Sequence, residues 1–199
     1  MNSFIFEIPN SLPESLCDDI IYMYELEDNK YDGVTFSGVN KIIKDTTDLV
    51  MTKNNILWEN VEKILNNQLS KGLTDYLKLL NKQEYSTYQR KYHVLNESKL
   101  MVDSFMLQKY KKCKGRYIYH NDSYNDSVND QYRVITFIWY LNDVEDGGET
   151  EFFGGEIKIK PEKGKLVLFP ASWTFPHRGK MPISNDKYII TNWFYKKGI

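Results

Sequence analysis

Two histidines and one aspartate of this chain, His120, Asp122 and His177, have the residue types and the order of a metal-ligand set. They form a His-x-Asp pair that is followed much later by a second histidine. Two imidazoles and one carboxylate can bind non-haem Fe(II) on one face and leave its other coordination positions open for chemistry. The chain has 3 histidines, and the third, His93, has no carboxylate at ligand spacing, so we expect it in the helical half or in a loop.

The segment before His120 explains how the first two residues can share a metal. Residues 105–119 are rich in Phe, Leu, Tyr and Ile, which predicts strands. In an extended strand, residues i and i+2 point to the same face. His120 and Asp122 can therefore point at one ion from one strand end, while Asn121 points away. His177 must then come from a strand that lies beside them in the fold.

Length and composition indicate one folded domain. The chain has 199 residues, of which 41% are hydrophobic and 15% aromatic, enough for a core and too many for a disordered chain. The formal net charge of −1 gives no electrostatic reason to expect a nucleic-acid partner. The segment KYKKCKGR (residues 109–116) is basic and contains tyrosines, but its short length favours a solvated face over a nucleic-acid demethylase site.

The cysteines and the lengths of the apolar segments indicate the cellular compartment. The two cysteines, Cys17 and Cys113, lie far apart in the sequence, which favours free thiols in a reducing compartment. The first residues lack the basic and apolar regions of a signal peptide. No run approaches the ~20 apolar residues that cross a bilayer. We therefore expect a cytoplasmic protein without a membrane partner.

The chain changes character near residue 100. Before it, apolar residues recur at helical spacing in residues 16–24 and 56–80, as in helices that pack on a core. Ser11 and Glu14 match a capping box for the first helix. Residues 29–53 are polar and mixed, and we expect loops and at most one short strand there.

From residue 103 onward the sequence predicts short strands separated by turns. The clearest strands are RVITFIWYL (133–141), KLVLF (165–169) and YIITNWFY (188–195), and the first is apolar enough to be buried on both faces. Helices followed by many strands predict an α+β fold, specifically a double-stranded β-helix (jelly-roll) core with supporting N-terminal helices. We expect one domain over residues 1–199, with residues 1–100 as mainly helical support and residues 101–199 as the catalytic core.

The motifs of the second half resemble, in their order, the Fe(II)- and 2-oxoglutarate-dependent dioxygenases, specifically the prolyl 4-hydroxylase-like group. The resemblance covers residues 103–195 and is carried by KYKKCKGRYIYHND, RVITFIWYLNDV, GGETEFF, KGKLVLFP, FPHRG and DKYIITNWFY. It implies that His120, Asp122 and His177 bind Fe(II) as the catalytic metal ligands. It also implies 2-oxoglutarate and O2 as cosubstrates, with ascorbate as a further cofactor.

The resemblance also assigns residues around the metal. Lys187 matches the basic residue that holds the far carboxylate of 2-oxoglutarate, and that carboxylate needs a buried cation because a buried charge without a partner is costly. The paired Gly147 and Gly148 permit positive φ in a tight turn. The further matches are Tyr110, Thr150 and Tyr140 as cosubstrate contacts, and Arg133 and Trp193 as substrate contacts.

The activity that the resemblance implies is hydroxylation of peptidyl proline, coupled to decarboxylation of 2-oxoglutarate to succinate. Asp122 supports hydroxylation, because related halogenases lack a carboxylate at that position. Residues 29–53 and 121–132 are expected to line the entrance, and the second segment suits a basic or extended peptide. Three alternatives stay open: a free amino acid or small metabolite as substrate, a cupin-type dioxygenase without 2-oxoglutarate, and a non-catalytic jelly-roll binding module. Lys187 argues against the cupin-type enzyme, and the intact ligand set argues against the binding module.

Overall fold

The computed structural model describes residues 4–51, 56–82 and 100–197, so His93 lies outside the described residues. The helices are α1 (Glu14–Leu26) and α2 (Ile56–Lys82). The strands, in chain order, are β1 (Phe6–Ile8), β2 (Tyr31–Asp32), β3 (Val34–Thr35), β4 (Gly38–Val39), β5 (Lys44–Asp45), β6 (Thr47–Val50), β7 (Leu100–Met101), β8 (Met106–Tyr110), β9 (Arg116–His120), β10 (Asn125–Asp126), β11 (Gln131–Tyr140), β12 (Thr150–Phe152), β13 (Ile157–Ile159), β14 (Leu166–Pro170), β15 (His177–Gly179) and β16 (Lys187–Lys197). Neither helix in these ranges combines the length and the apolar character needed to cross a membrane.

Two antiparallel sheets face each other, and most of their strands come from the second half of the chain. The large sheet has the strand order β1-β14-β11-β16-β8-β6-β2, with β10 paired to β11 and β7 paired to β16. The small sheet has the order β13-β12-β15-β9-β5, and β3 and β4 form a separate hairpin. Phe152 of the small sheet contacts Phe169 of the large sheet, with ring centroids 4.9 Å apart. This arrangement is a jelly-roll core, and the predicted α+β fold is confirmed.

Strand β11 lies inside the large sheet and separates two hydrophobic cores. Its side chains alternate between the faces. Phe137 and Trp139 face the helices, whereas Ile138 and Tyr140 face the small sheet, and all four are buried. The prediction of a strand that is buried on both faces is confirmed. The same alternation places the polar Thr136 on the inner face, where it lines a cavity.

The two helices cover the outer face of the large sheet. Ile20 and Tyr24 of α1 share a buried core with Leu69 of α2, which confirms the helical stripes predicted from the sequence. Helix α2 continues through Gly72, where an added Cβ atom would lie 2.7 Å from a methyl carbon of Leu166. Glycine at this position therefore lets α2 approach β14 closely.

The segment of residues 29–53 differs from the sequence-based expectation. Within the described residues it contains the strands β2 to β6, each of two to four residues. Strand β6 pairs with β8 in the large sheet, and β5 pairs with β9 in the small sheet. The expectation of loops with at most one short strand is wrong, because strands this short show no apolar alternation and form through distant pairing. The first half of the chain therefore completes both sheets.

The start of α1 also differs from the expectation. The helix begins at Glu14 after Pro13, and no side chain caps it through a hydrogen bond. The Ser11 hydroxyl instead accepts a 3.0 Å hydrogen bond from the indole N–H of Trp139. The predicted capping box of Ser11 and Glu14 is wrong, because a buried indole N–H needs an acceptor and Ser11 supplies it.

The turn before β12 depends on glycine at position 147. Gly147 has a φ of 73°, and an added Cβ atom would collide with the Met181 carbonyl oxygen. Gly154 has a similar φ of 71° with no atom within 4 Å of its Cβ position. In urea denaturation we expect Gly154→Ala to lower the free energy of unfolding by ~1 kcal/mol, and Gly147→Ala to lower it by a further ~1–3 kcal/mol. An equal loss of unfolding free energy in the two variants would contradict the predicted clash with the Met181 carbonyl oxygen.

Candidate metal centre and cosubstrate pocket

Strand pairing brings the two predicted histidine ligands together. Strand β9 ends at His120, β15 begins at His177, and the two residues are partners across the antiparallel pair. Asp122 Oδ1 lies 3.7 Å from His120 Nε2, and Asp122 Oδ2 lies 3.5 Å from His177 Nε2. One ligand atom from each residue lies within 4.8 Å of the others. A single ion can therefore contact all three side chains.

Backbone carbonyls fix the tautomer of both histidines. His120 Nδ1 lies 2.8 Å from the Ile118 carbonyl oxygen, and His177 Nδ1 lies 3.0 Å from the Phe175 carbonyl oxygen. A carbonyl oxygen only accepts hydrogen bonds, so both Nδ1 atoms carry the proton. The lone pairs are then on the Nε2 atoms next to Asp122, which is the arrangement that a metal ion requires.

Burial and neighbouring charge set the protonation of this set in the metal-free protein. Burial, followed by the charge of His177, lowers the pKa of His120 to about 4. Burial acts to raise the pKa of Asp122, but His177, His120 and a hydrogen bond from Thr136 outweigh it and hold that pKa below its usual value. At neutral pH, His120 is therefore a neutral imidazole and Asp122 a carboxylate. These donors fit Fe(II).

Thr136 supports the metal-ligand set, although no sequence motif pointed to it. Its hydroxyl donates a 2.7 Å hydrogen bond to Asp122 Oδ2. We expect Thr136→Val, which keeps the side-chain shape and removes the donor, to lower the affinity for Fe(II) by ~10–100-fold, measured by competition with a chelator. Thr191→Val is the control, because the Thr191 hydroxyl donates to the Phe137 carbonyl oxygen. The same affinity in both variants would show that Thr136 does not orient the ligand.

Lys187, at the start of β16, is the second charged feature of the site. Its side chain is 1% exposed, and its Nζ donates a 2.9 Å hydrogen bond to the Gly148 carbonyl oxygen. The Nζ atom also lies 3.9 Å from the centre of the Tyr110 ring. Burial lowers the pKa of Lys187 to about 7, and Glu149 offsets this only in part. Among the described residues no carboxylate forms an ion pair with it, so the position suits a ligand that brings an anion.

The metal-ligand set and Lys187 line the same cavity, which has a volume of about 540 Å³. Tyr110 and Thr150, two of the predicted cosubstrate contacts, also line it. Tyr140 is fully buried behind Thr150 and donates a 2.7 Å hydrogen bond to the Thr150 hydroxyl. The cavity is large enough for a small dicarboxylate and part of a larger substrate.

Arg133 and Trp193 lie together in the cavity wall. The Arg133 guanidinium carbon lies 3.3 Å from the centre of the Trp193 ring and 4.9 Å from the centre of the Tyr124 ring. In the part of the chain that the structure describes, Arg133 Nε is buried without a hydrogen-bond partner, whereas the indole N–H of Trp193 interacts with Asp122 and helps to lower the pKa of that carboxyl. The Arg133 N–H can donate to an acceptor such as a carbonyl oxygen of a substrate.

Both predicted entrance segments line the cavity. Residues 29–53 contribute Phe36 and Asp48 among others, and residues 121–132 contribute Tyr124. The structure thus places both segments at the cavity, and their role as its entrance stays a prediction. Asp48 and Gln108, which also line the cavity, were not anticipated, because a lone Asp or Gln in a short strand carries no motif.

A jelly-roll fold whose cavity holds two histidines, one aspartate and a buried lysine has the donors that fit a non-haem Fe(II) ion and an anionic cosubstrate. Residues 105–195 match the family model of the 2OG-Fe(II) oxygenase superfamily. This segment is therefore similar to the oxygenase domain of that superfamily, and the relatives that it resembles include prolyl hydroxylases.

Solved structures share the fold over nearly the whole chain. A viral collagen prolyl hydroxylase from Paramecium bursaria Chlorella virus-1 has a TM-score of 0.68 at 19% identity, covering 98% of this chain and 97% of that one. A prolyl hydroxylase from Trichoplax adhaerens, in complex with a hypoxia inducible factor peptide fragment, has a TM-score of 0.71 at 20% identity, covering 98% and 84%. At these identities the likeness is one of fold.

Curated relatives match a shorter region. Probable prolyl 4-hydroxylase 10 of Arabidopsis thaliana is 31% identical over 108 residues, which are 41% of this chain and 37% of the relative. Probable prolyl 4-hydroxylase 9 of the same plant is 29% identical over 118 residues, 46% of this chain and 40% of the relative. The match therefore spans about 40% of the length of these relatives and identifies a type of domain rather than a whole protein.

Proposed function

We propose that this protein is an Fe(II)- and 2-oxoglutarate-dependent hydroxylase that acts on peptidyl proline. The observation that carries the proposal is Lys187, a buried ammonium in the same cavity as the metal-ligand set, with no ion-pair partner among the described residues. A metal site alone fits many enzymes, but a metal site with a buried unpaired cation fits an anionic cosubstrate. A cupin-type dioxygenase without 2-oxoglutarate leaves this lysine unexplained.

In this proposal His120, Asp122 and His177 hold Fe(II). With 2-oxoglutarate and O2, the bound metal supplies the oxidising power for hydroxylation of a C–H bond, while 2-oxoglutarate is decarboxylated to succinate. The side chains of the protein position the reacting groups and exclude water from the metal site. Phe152 and Phe169 pack against the His177 ring, with centroids 5.5 and 4.8 Å away, and exclude water from that side of the ligand set.

Lys187 is proposed to pair with the far carboxylate of 2-oxoglutarate. Tyr110 and Thr150 have hydroxyls in the same cavity wall and can donate to the cosubstrate. Tyr140 acts through Thr150: because the Tyr140 hydroxyl already donates to Thr150 Oγ1, the Thr150 proton is free to point at a carboxylate. Tyr140 is thus proposed as a positioning residue.

A peptide is the proposed substrate class, with Arg133 and Trp193 as its contacts. The unpaired Arg133 Nε–H can donate to a peptide carbonyl, Trp193 offers its ring as an apolar contact, and the rings of Trp193 and Tyr124 hold the guanidinium in place. The complex of the Trichoplax prolyl hydroxylase with a peptide fragment supports this choice over the alternative of a free amino acid or small metabolite.

We further propose that residues 1–199 act as one domain, in which residues 1–100 support the catalytic core of residues 101–199. Support comes from β5 and β6, which pair with β9 and β8. A cytoplasmic location is proposed from Cys17 and Cys113, both free thiols, because free thiols persist in a reducing compartment. Ascorbate remains a proposed further cofactor.

The affinity for 2-oxoglutarate is expected to fall as the pH rises above neutrality. Only the ammonium form of Lys187 attracts the carboxylate, and burial lowers its pKa to about 7 in the cosubstrate-free protein. We expect the dissociation constant of 2-oxoglutarate to rise by up to ~10-fold per pH unit above that value, measured by anaerobic titration from pH 6.5 to 9. Lys187→Met is expected to remove this dependence. A flat profile for the unmodified protein would place the cosubstrate away from Lys187.

The function is tested by following succinate formation after Fe(II) is loaded anaerobically and O2 is admitted. We expect a blocked peptide of alternating alanine and proline to stimulate succinate formation and to gain the mass of one oxygen atom. Free proline should do neither. Stimulation by free proline alone would favour the small-molecule alternative. Metal binding without 2-oxoglutarate binding would favour the cupin-type reaction, and loss of both would favour a binding module.

A further inference from the structure

The cavity has a second polar wall that includes neither the metal-ligand set nor Lys187. It consists of Lys44 of β5, Asp48 of β6 and Gln108 of β8, which are 4%, 1% and 5% exposed. Lys44 Nζ lies 2.7 Å from Asp48 Oδ2, and Gln108 Nε2 donates a 3.2 Å hydrogen bond to the same oxygen. The small sheet thus supplies the cation and the large sheet supplies the carboxylate and the amide.

The other oxygen of this carboxylate, Asp48 Oδ1, is buried without a hydrogen-bond partner in the described part of the chain. A buried carboxylate oxygen that lacks a donor is costly. The cost is explained if a ligand of the cavity supplies the donor. Lys44 and Gln108 hold the carboxylate through Oδ2, so Oδ1 is fixed in position before any ligand arrives.

The proposed cofactors do not supply this donor. 2-Oxoglutarate is a dianion at neutral pH and offers only acceptors, and Fe(II) has its own ligand set. Of the molecules that the proposed reaction brings to the cavity, the substrate that is oxidised is the one that can supply this donor. Lys44 already neutralises Asp48, so a second cation at Oδ1 would face the Lys44 ammonium, and a neutral N–H group fits better.

We propose that Asp48 forms a substrate subsite that accepts a hydrogen bond from a backbone N–H of the peptide, on a residue that flanks the target proline. Lys44 and Gln108 are positioning residues for its carboxylate. Proline has no backbone N–H, so the subsite selects against proline at that flanking position. This inference rests on the proposed function and adds a sequence preference to it.

Two peptides provide the first test. One is the blocked peptide of alternating alanine and proline, and the other is the same peptide with N-methylalanine in place of alanine. Binding of each is measured by anaerobic calorimetry on the protein loaded with Fe(II) and 2-oxoglutarate. Because a hydrogen bond to a charged group is lost, we expect N-methylation to weaken binding by about 10-fold or more. Equal affinities, or no binding of either peptide, would overturn the subsite.

A double variant assigns the effect to Asp48. Lys44→Met with Asp48→Leu removes both charges at similar volume and leaves no lone buried charge. We expect this protein to bind the unmodified peptide about 10-fold more weakly and to show no further loss on N-methylation. The matched control, Lys41→Met with Asp32→Leu, removes an exposed ion pair of 2.8 Å and should behave as the unmodified protein does.

The outcomes separate the subsite from the function on which it rests. An equal loss on N-methylation in the unmodified protein and the Lys44/Asp48 double variant would overturn the role of Asp48, even where 2-oxoglutarate binds normally. Absence of 2-oxoglutarate binding in the same samples would instead overturn the proposed function. If the double variant does not fold, the comparison of the two peptides on the unmodified protein decides.

Discussion

Asp122→Ala is expected to abolish hydroxylation, with less than ~0.1% of the turnover remaining, which corresponds to more than ~4 kcal/mol of lost transition-state stabilisation. Asp122 supplies the only carboxylate of the metal-ligand set and lies within 3.7 Å of both imidazoles. Without it, a divalent ion is held by two neutral nitrogens and loses its charge partner. The measurement is peptide-stimulated succinate formation together with Fe(II) affinity.

Asp126→Ala is the matched control for this variant. Asp126 follows in the same segment, but its carboxylate accepts hydrogen bonds from Asn129 and the Val128 backbone rather than facing the histidines. We expect this variant to keep its Fe(II) affinity and its turnover. Full activity in Asp122→Ala, or equal losses in the two variants, would contradict the assigned metal ligand.

Local periodicity was enough to predict the first metal-ligand pair. The rule that residues i and i+2 share a strand face placed His120 and Asp122 on one side of a strand end, and the structure agrees. The position of His177 was not derivable in the same way, since its pairing with His120 depends on the order of strands in the small sheet. The order of the motifs that resemble the dioxygenases indicated His177 as the third ligand, which residue spacing alone could not do.

The residues that sequence reasoning missed act through distant contacts. Thr136 lies in an apolar strand, and only the pairing of β11 with β16 and the position of Asp122 give its hydroxyl a role. Asp48 and Gln108 are 60 residues apart and meet only because β6 pairs with β8. Strand β6 itself is four residues long, too short for its periodicity to be recognised.

Lys187→Met is expected to raise the dissociation constant of 2-oxoglutarate by ~100–1000-fold, because truncating one partner of a buried charge pair costs several kcal/mol. Methionine keeps much of the side-chain length and removes the charge, so binding of Fe(II) by the three ligands should persist. The measurement is anaerobic titration of 2-oxoglutarate into the Fe(II)-loaded protein. Lys197→Met is the control, because Lys197 ends the same strand and is exposed.

The same substitution should stabilise the cosubstrate-free protein. Folding lowers the pKa of Lys187 from 10.5 to about 7, so the unfolded chain binds this proton more tightly than the native state does. The cost to stability therefore grows as the pH falls from 10.5 towards 7 and is fully present below 7. We expect Lys187→Met to melt at a higher temperature than the unmodified protein at pH 6.5, with a smaller difference at pH 9. If Lys187 instead stabilised the fold, its replacement would lower the melting temperature. A lower melting temperature together with an unchanged affinity for 2-oxoglutarate would therefore contradict the role of Lys187 as the carboxylate partner.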